Sequence, residues 1–428
     1  MKYAIKNVKI LDGGESGEII SGKAILVVDG KISDIVAENE IPADFDIKDM
    51  GGNYLLPGLI NLHVHIPSSG KPTKKKTDYE KVAKLLRFGV ARAVVRAMCE
   101  SYAKQQLLSG TTTIRAVGGV LDFDTKLRDK INAGKAVGPR ILAANCAVSV
   151  PGGHMTGSVA LPAHSEEEAV QMVIDRAAEK PDLIKLMITG GVLDADIPGE
   201  PGVLKMPESY AAAATKKAHE LGLKVAAHVE STEGMLVALR SGVDTLEHGG
   251  KPSDEVIDLF KKTGSVLVAT LSPAVPFAVM DPAVTGFGET DLINGKALFE
   301  NMKNCVNACL KNGVTVGLGT DTGCPFTTQY DMWRELWYFC KCCGVTPAFA
   351  IHTATQINAK IAEIDDITGA VKKGLSADFM VVKENPLENL KALRAPEYVV
   401  FKGEILEHPQ PSKFKNVEAE LDKVMKEF

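Results

Sequence analysis

Nowhere in the 428 residues does an apolar run approach the eighteen or so that a membrane-crossing helix needs, so no membrane association is expected. The chain also lacks a surplus of positive charge. Its 49 Lys and Arg stand against 54 Asp and Glu, a net charge of -5. Without a basic face there is no electrostatic footprint for nucleic acid. The opening, MKYAIKNVKILDGG, has no continuous apolar stretch of the kind a signal peptide carries, and the cytoplasm is the expected compartment. Cysteine is sparse, eight in a chain of this length, which is no disulfide framework. Cys340, Cys342 and Cys343 cluster in WYFCKCCGV, yet that stretch reads as helix and no second pair at zinc spacing follows it. With Cys305 and Cys309 they are expected to be packed free thiols.

What is present is an ordinary globular composition, 45% hydrophobic and 24% charged, with a change of texture at Leu56. Before it, YAIKNVKIL and KAILVVDGKISDIVA read as strands, and Asp29-Gly30 marks a hairpin turn. After it come eight short apolar runs, at 59–65, 111–117, 140–145, 183–189, 223–229, 243–248, 265–271 and 314–321. Stretches of helical period, such as SEEEAVQMVIDRAAEK and PESYAAAATKKAHELG, separate several of them. Eight strands mostly alternating with helices predict an α/β fold, the (β/α)8 TIM barrel.

Two of only nine histidines, His63 and His65, fall one residue apart in LPGLINLHVH. On a strand, positions i and i+2 share a face, so both rings project together. They are either partly buried histidines at a strand end or a pair of metal ligands, and these ten residues alone leave both open. Elsewhere, Lys185 lies within the fourth run, His228 near the end of the fifth, and His248 ends the sixth. Asp321 ends the eighth. In this fold the C-terminal strand ends carry the chemistry, so the six residues converge on one pocket. Nitrogen and carboxylate ligands suit Zn²⁺, and a catalytic site keeps one position open to water. Lysine is the awkward member, because an ammonium only donates. It must lose its proton, pair with a carboxylate, or be modified; a carbamate would supply two anionic oxygens, and a snorkelling or ion-paired lysine is the ordinary alternative.

The ordered segments LLPGLINLHVH, GTTTIRAVGG, PGGHMTG, IKLMITGGV, KVAAHVES, DTLEHG, GLGTDTG and GAVKKGLSADFMVVKENPLENL resemble the metal-dependent amidohydrolase superfamily. The likeness is to its binuclear, carbamylated-lysine branch, with prolidase-like and arginine- or lysine-carboxypeptidase-like members and relatives in the imidazolonepropionase-like group. It spans nearly the whole chain. It implies a barrel over 57–365 beside a small β-sandwich made by 1–56 and by 366–428, the latter ending in a helix. It further implies that His63, His65 and Asp321 bind one divalent metal and His228 and His248 a second, with a carbamylated Lys185 bridging both. Zn²⁺ is the first expectation, with Mn²⁺ and Fe²⁺ open. A hydroxide shared by the metals would attack the amide carbon, and Asp321 would take its proton and deliver it to the leaving nitrogen. His154 in PGGHMTG, with Gly190 and Gly191 after the fourth strand, is implied in substrate contact. The reaction implied is hydrolysis of a C–N amide bond in a dipeptide, N-acyl amino acid or related small amide. The expected partner is that small molecule, with homo-oligomerisation open.

Departures from the pattern bear on the substrate. Dipeptidase members often carry arginine-aspartate in the second strand, where this chain has Arg115-Ala116, and often a tyrosine where it has Glu230. A carboxylate at 230 disfavours an anionic group nearby and favours a basic one, unless it is a solvated or ion-paired rim residue. Cys324, three residues after Asp321, is a candidate pocket residue by proximity alone. The lysine-rich SSGKPTKKKTDYEK, with Lys71, Lys74, Lys75 and Lys76, reads as a solvated loop, with a lid that attracts an acidic substrate as the alternative, and His164, His219, His352 and His408 read as structural or exposed. Two other readings compete. Ring opening or deamination of a nitrogen heterocycle is one; deaminase relatives use one metal, lack the bridging lysine, and place a glutamate where this chain has Ser231. A non-catalytic scaffold is the other, but such proteins lose ligands, and this chain keeps all six. Specificity lives in the loops after the strands, and a likeness of fold does not transfer it.

Overall fold

The computed structural model describes residues 1–72 and 84–428, so Lys74, Lys75 and Lys76 lie outside the described residues. The chain opens with strands β1 (Lys2–Leu11), β2 (Ile19–Ile20), β3 (Lys23–Val28), β4 (Lys31–Ala37) and β5 (Asp46–Pro57). Asp29 and Gly30, at φ 49° and 80°, make the tight turn between β3 and β4. Two consecutive positive φ angles match the right-handed twist of a hairpin.

Next come β6 (Leu59–Val64), β7 (Thr111–Ala116), β8 (Arg140–Ala143), β9 (Ala147–Ser149) and β10 (Ala160–Pro162). They are followed by β11 (Leu183–Met187), β12 (Lys224–Val229), β13 (Thr245–His248), β14 (Val266–Ala269) and β15 (Val316–Leu318). The parallel set β6–β7–β8 and the parallel set β11 to β15 close into one barrel. One seam is made by His65 N donating to Thr322 O at 2.8 Å and Asp321 N to His63 O at 2.9 Å. At the other, Asp182 N donates to Ala143 O at 2.8 Å. Each of the eight apolar runs of the sequence supplies one of these eight strands.

Helices return the chain between strands, and their starts are written locally. Ser165, Ser231 and Ser253 each accept from the amide three residues on, capping the helices Glu166–Ala178, Thr232–Arg240 and Asp254–Thr263. Among the described residues no helix is long and apolar enough to cross a membrane. All eight cysteines are free, and Cys340, Cys342 and Cys343 lie half-buried in the helix Met332–Cys343.

Two runs are cut short. The third, expected over 140–145, stops at Ala143 because Asn145 takes a left-handed conformation, φ 59°, with its amide bonded to Thr125 and Glu179. The chain then continues as β9, which pairs with β10 and β11. The eighth stops at Leu318, three residues before Asp321, whose φ is 55°.

The last strands, β16 (Phe379–Val382), β17 (Tyr398–Phe401) and β18 (Glu404–Glu407), bring the C-terminal segment back to the N-terminal one. β16 pairs antiparallel with β5, which runs parallel to β1. The result is one eight-stranded sheet, in the order β18-β17-β16-β5-β1-β3-β4 with β2 on the side of β1. It folds over itself: Ala377 N donates to Gly30 O and Ile32 N to Leu375 O, both at 2.8 Å. Tyr3, Ile5, Val27, Phe379 and Val400 fill the space between, a core separate from the barrel's. Leu56, Met380 and Val382 alternate with that set and pack into the barrel core instead. Burying each such side chain contributes about 1.5–3 kcal/mol, which anchors the barrel on this sheet.

Candidate functional site

The barrel's C-terminal end brings all six singled-out residues together. His63 sits in β6, His65 just beyond it, Lys185 mid-way along β11, His228 in β12 and His248 at the tip of β13. His63 Nε2 lies 3.4 Å and His65 Nε2 3.2 Å from Asp321 Oδ1. One ligand atom from each of these three falls within 4.8 Å of the others, a group able to hold a metal ion. The His248 ring is 4.7 Å from those of both His63 and His228. Together with Lys185 they line a cavity of about 1050 Å³.

The polar atoms aimed into this space are left without partners. His63 Nε2, Lys185 Nζ and Asp321 Oδ1 are buried and have no hydrogen bond among the described residues. Native buried groups are nearly always paired, and an orphaned donor or acceptor costs about 1–3 kcal/mol. Three orphans on residues that line one cavity fit a ligand that supplies the missing contacts, and a divalent metal suits imidazole and carboxylate donors.

Hydrogen bonds behind the rings set which nitrogen faces the site. His63 Nδ1 meets Glu247 Oε2 at 2.7 Å and His65 Nδ1 meets Gly118 O at 2.8 Å. Both acceptors require Nδ1–H, which leaves each Nε2 lone pair free for the site. His248 Nδ1 pairs with Thr270 Oγ1 at 2.7 Å. His228 is reversed: its Nε2 donates to Gly190 O at 3.1 Å, so Nδ1 carries the lone pair.

Glu247 was not singled out by the sequence, although it lies in DTLEHG. It is fully buried, accepts from Arg115 Nη2 at 2.7 Å and Thr245 Oγ1 at 2.6 Å, and so locks His63. Arg115, the arginine that precedes the departing Ala116 in the second strand, is fixed in turn by donating from Nε to Leu62 O at 2.7 Å. The available signal was parity, since Thr245 and Glu247 share one face of β13. On that parity His248 would point away from the barrel interior. Its left-handed backbone, φ 71°, breaks the strand and turns the ring into the site.

Burial and neighbouring charge set the protonation states. Burial first, then Lys185, lowers His63 to about 4, against the pull of Asp321 and Glu247. Burial and neighbouring cationic groups hold His228 and His248 well below the ordinary range. All three are therefore neutral imidazoles at pH 7, the form that ligates. Burial works against ionisation of Asp321, but His63, His65 and His248 outweigh it and hold the carboxyl well below its usual range. Burial lowers Lys185 to about 8, opposed by Glu247 and Asp321.

Of the remaining candidates, His154, Glu230 and Cys324 line the same cavity, and Gly190 and Gly191 lie behind it. His154 stacks on His228 with centroids 4.1 Å apart, and its Nδ1–H donates to the Asp194 carboxylate, a partner the sequence did not reveal. Gly191 lies beneath that ring, where a Cβ would come within 2.7 Å of it. Gly190 and Gly191 thus seat the two histidines. β12 ends at Val229, but Glu230 still faces inward: its Oε2 accepts from Val192 N at 3.1 Å and its Oε1 lies 3.9 Å from His228 Nε2. Burial, then Asp321 and Asp194, push Glu230 well above the usual carboxylate range. Cys324 Sγ donates to Asp321 Oδ2 at 3.2 Å. The other residues stay outside this set. Lys71 Nζ lies 5.7 Å from the Phe414 ring, His219 pairs with Asp244, His352 with Gly13 O, and His408 with Glu397.

Comparison with known proteins agrees with this geometry. The model of the amidohydrolase family matches residues 54–406. The chain is 26% identical to ochratoxinase of Aspergillus niger over 422 residues, covering 90% of this chain and 83% of that protein. It is 24% identical to imidazolonepropionase of Deinococcus radiodurans over 391 residues, 85% and 86% of the two chains. Among solved structures, a prolidase-like protein of Bifidobacterium longum superposes with a TM-score of 0.87 at 34% identity, covering 99% of this chain and 98% of that one. A Xaa-Pro dipeptidase with bound methionine in its active site gives 0.83 at 28% identity, with 95% and 100% covered. With a family match across most of its length and a metal-binding cluster at the barrel mouth, the chain belongs to the amidohydrolase family and is a hydrolase of carbon–nitrogen bonds.

Proposed function

We propose that the enzyme hydrolyses the amide C–N bond of a small substrate, a dipeptide, N-acyl amino acid or related amide, in a site holding two divalent metal ions, Zn²⁺ first among them. The observation that carries this reading is the convergence of three orphaned buried atoms, on His63, Lys185 and Asp321, beneath one cavity. His63, His65 and Asp321 would hold one ion, His228 and His248 the other, and a carbamate on Lys185 both. Bound there, the metals supply an activated water and polarise the scissile carbonyl.

The chain's own residues do the rest. A lysine lowered to about 8 by burial keeps a useful neutral fraction at pH 7–8. That amine attacks CO₂, forming an N–C bond and releasing one proton, and the carbamate turns an unpaired donor into an acceptor. Asp321 accepts the proton of the attacking water and passes it to the leaving nitrogen; Cys324 holds its Oδ2 while Oδ1 faces His63 and His65. His154, fixed by Asp194, contacts the substrate from the far side of His228. A basic substrate group beside Glu230 would restore the ionisation that burial, Asp321 and Asp194 oppose, so a basic or neutral group is favoured there over an anionic one.

The test is metal analysis of protein purified with bicarbonate, followed by a screen of dipeptides, N-acyl amino acids and lactams. About two metals per chain and turnover of open-chain amides are expected, and Lys185→Ala should lose most activity and regain part of it with short carboxylic acids. Turnover confined to cyclic substrates with one metal bound would favour ring opening or deamination. A protein that binds no metal and cleaves nothing would overturn the reading.

A further inference from the structure

The cavity is far larger than the metal cluster requires. Its volume of about 1050 Å³ lies just above the roughly 300–1,000 Å³ of pockets for drug-sized ligands. The part lying over the ends of β6, β7 and β8 differs in character from the floor. Met98, Leu121 and Leu161, exposed to 39%, 42% and 41%, line it together with Leu86, Val95 and Val159. Large apolar side chains gathered on one wall mark a surface for an apolar ligand.

Four cations share that wall, and two of them are already matched. Lys126 pairs with Asp122, and Arg176 Nη2 with Glu179 Oε1 at 2.9 Å. Arg92 and Arg96, four residues apart on one face of the helix Gly89–Leu108, have no carboxylate partner among the described residues. Arg92 Nη1 donates to the carbonyls of Leu86 and Arg87 at 3.1 and 3.2 Å. The Arg96 guanidinium lies 4.7 Å from the Phe123 ring centroid. Both are thus held in place with N–H groups to spare, the arrangement that recognises a carboxylate.

We propose that this wall binds the end of the substrate remote from the scissile bond, and that this end is a bulky apolar group bearing a carboxylate held by Arg92 and Arg96. The inference deepens the amide-hydrolase reading and rests on it. It places an anion only at the far end of the cavity, on the two arginines, away from Asp321 and Glu230 at the floor.

Calorimetric titration of the metal-loaded protein with biphenyl-4-carboxylate and with biphenyl-4-carboxamide tests it. The carboxylate should bind about tenfold more tightly, the scale of one net charge-assisted hydrogen bond. The preference should vanish in the Arg92→Gln/Arg96→Gln double variant while carboxamide binding is kept. Leu121→Asp should weaken both probes. A preference that survives in the double variant would locate the carboxylate on the metals and overturn the proposal, as would no preference in the wild type. Because binding is read without turnover, a protein that hydrolyses no amide but shows the Arg-dependent preference would sink the functional reading and leave the anion-binding wall standing. In kinetics, a remote para-carboxylate on an aroyl amide should lower KM, and the double variant should lose that gain with little change in kcat.

Discussion

The two ends of the barrel are built from similar residue types and treat them in opposite ways. At the N-terminal end, Arg140 Nη1 meets Asp378 Oδ2 at 2.8 Å, joining the barrel to the terminal sheet. There too, Arg128 Nη1 meets Asp182 Oδ2 at 2.8 Å. Asp244 accepts from His219, Lys224 and the amide of Val225. At the C-terminal end, His63, Lys185 and Asp321 each point an unpaired atom at a common space, and His248 and Asp321 hold left-handed backbones. One end spends its charges on the fold. The other withholds them from the fold, which is where a ligand can use them.

The largest effects should come from altering the withheld groups. Lys185→Met removes a buried amine that has no hydrogen-bond partner among the described residues. Activity should vanish, while the metal-free protein should gain about 1–4 kcal/mol in denaturant unfolding, since an apolar side chain of like size suits a dry site better. A less stable variant would mean that Lys185 has a structural partner and that the contrast between the ends is false. Asp321→Asn should keep the fold and much of the metal, and lose roughly 10²–10⁴-fold in kcat, the worth of one acid–base group. Near-normal turnover at full metal content would require a different base.

Glu247 belongs to the C-terminal end yet is fully satisfied, so it sharpens the comparison. Glu247→Ala strands Arg115 in the interior and frees His63, and should cost about 3–5 kcal/mol. Metal affinity should fall about 10–100-fold, as for other groups that orient a ligating histidine. Glu247→Gln, which keeps an oxygen for His63 Nδ1–H, should recover part of the affinity, measured by chelator competition. Equal loss in both variants would reduce Glu247 to a buried ion-pair partner.

A smaller, pH-dependent effect is expected at Asp124, whose two oxygens are buried without partners among the described residues. Burial raises this carboxyl to about 7, against the influence of His65. An unfolded chain loses the same proton near pH 4, so between about pH 4 and 7 the folded state binds more protons. The group's contribution is therefore greatest below that window and declines as pH rises through it, by up to a few kcal/mol. Asp124→Asn should raise the melting temperature at pH 8 and change it little at pH 4. An equal change at both would trace the effect to packing.

The least should happen at the opposite end. Lys224 is half-exposed, 3.1 Å from Asp244 and 3.5 Å from Glu363. Lys224→Met should alter stability by no more than about 1 kcal/mol and leave kcat unchanged, because solvent screens such pairs. A large kinetic effect would show that the two ends are coupled through the barrel.

Much of this was legible in the chain itself, for reasons of period and position. Alternation along a strand put His63 and His65 on one face, and the spacing of apolar runs announced eight strands before any contact was known. The hairpin at Asp29-Gly30 is local chemistry, decided within four residues. Glu247, Thr270 and Asp194 were not legible. Each matters through a partner on another strand or loop, and His63 and Glu247 are 184 residues apart. Parity pointed His248 outward, and only a backbone conformation imposed at the tip of β13 reversed it. The folding of one sheet over its own core, and the matching of two cations but not the other two on the cavity wall, were likewise settled by what packs beside what. Sequence alone determined the elements and the residue types able to react, because periodicity and turn chemistry act over a few residues. Tertiary structure decided which nitrogen of each histidine faces the site and which charges stay unpaired, because those depend on neighbours that only the closed barrel brings within hydrogen-bond distance.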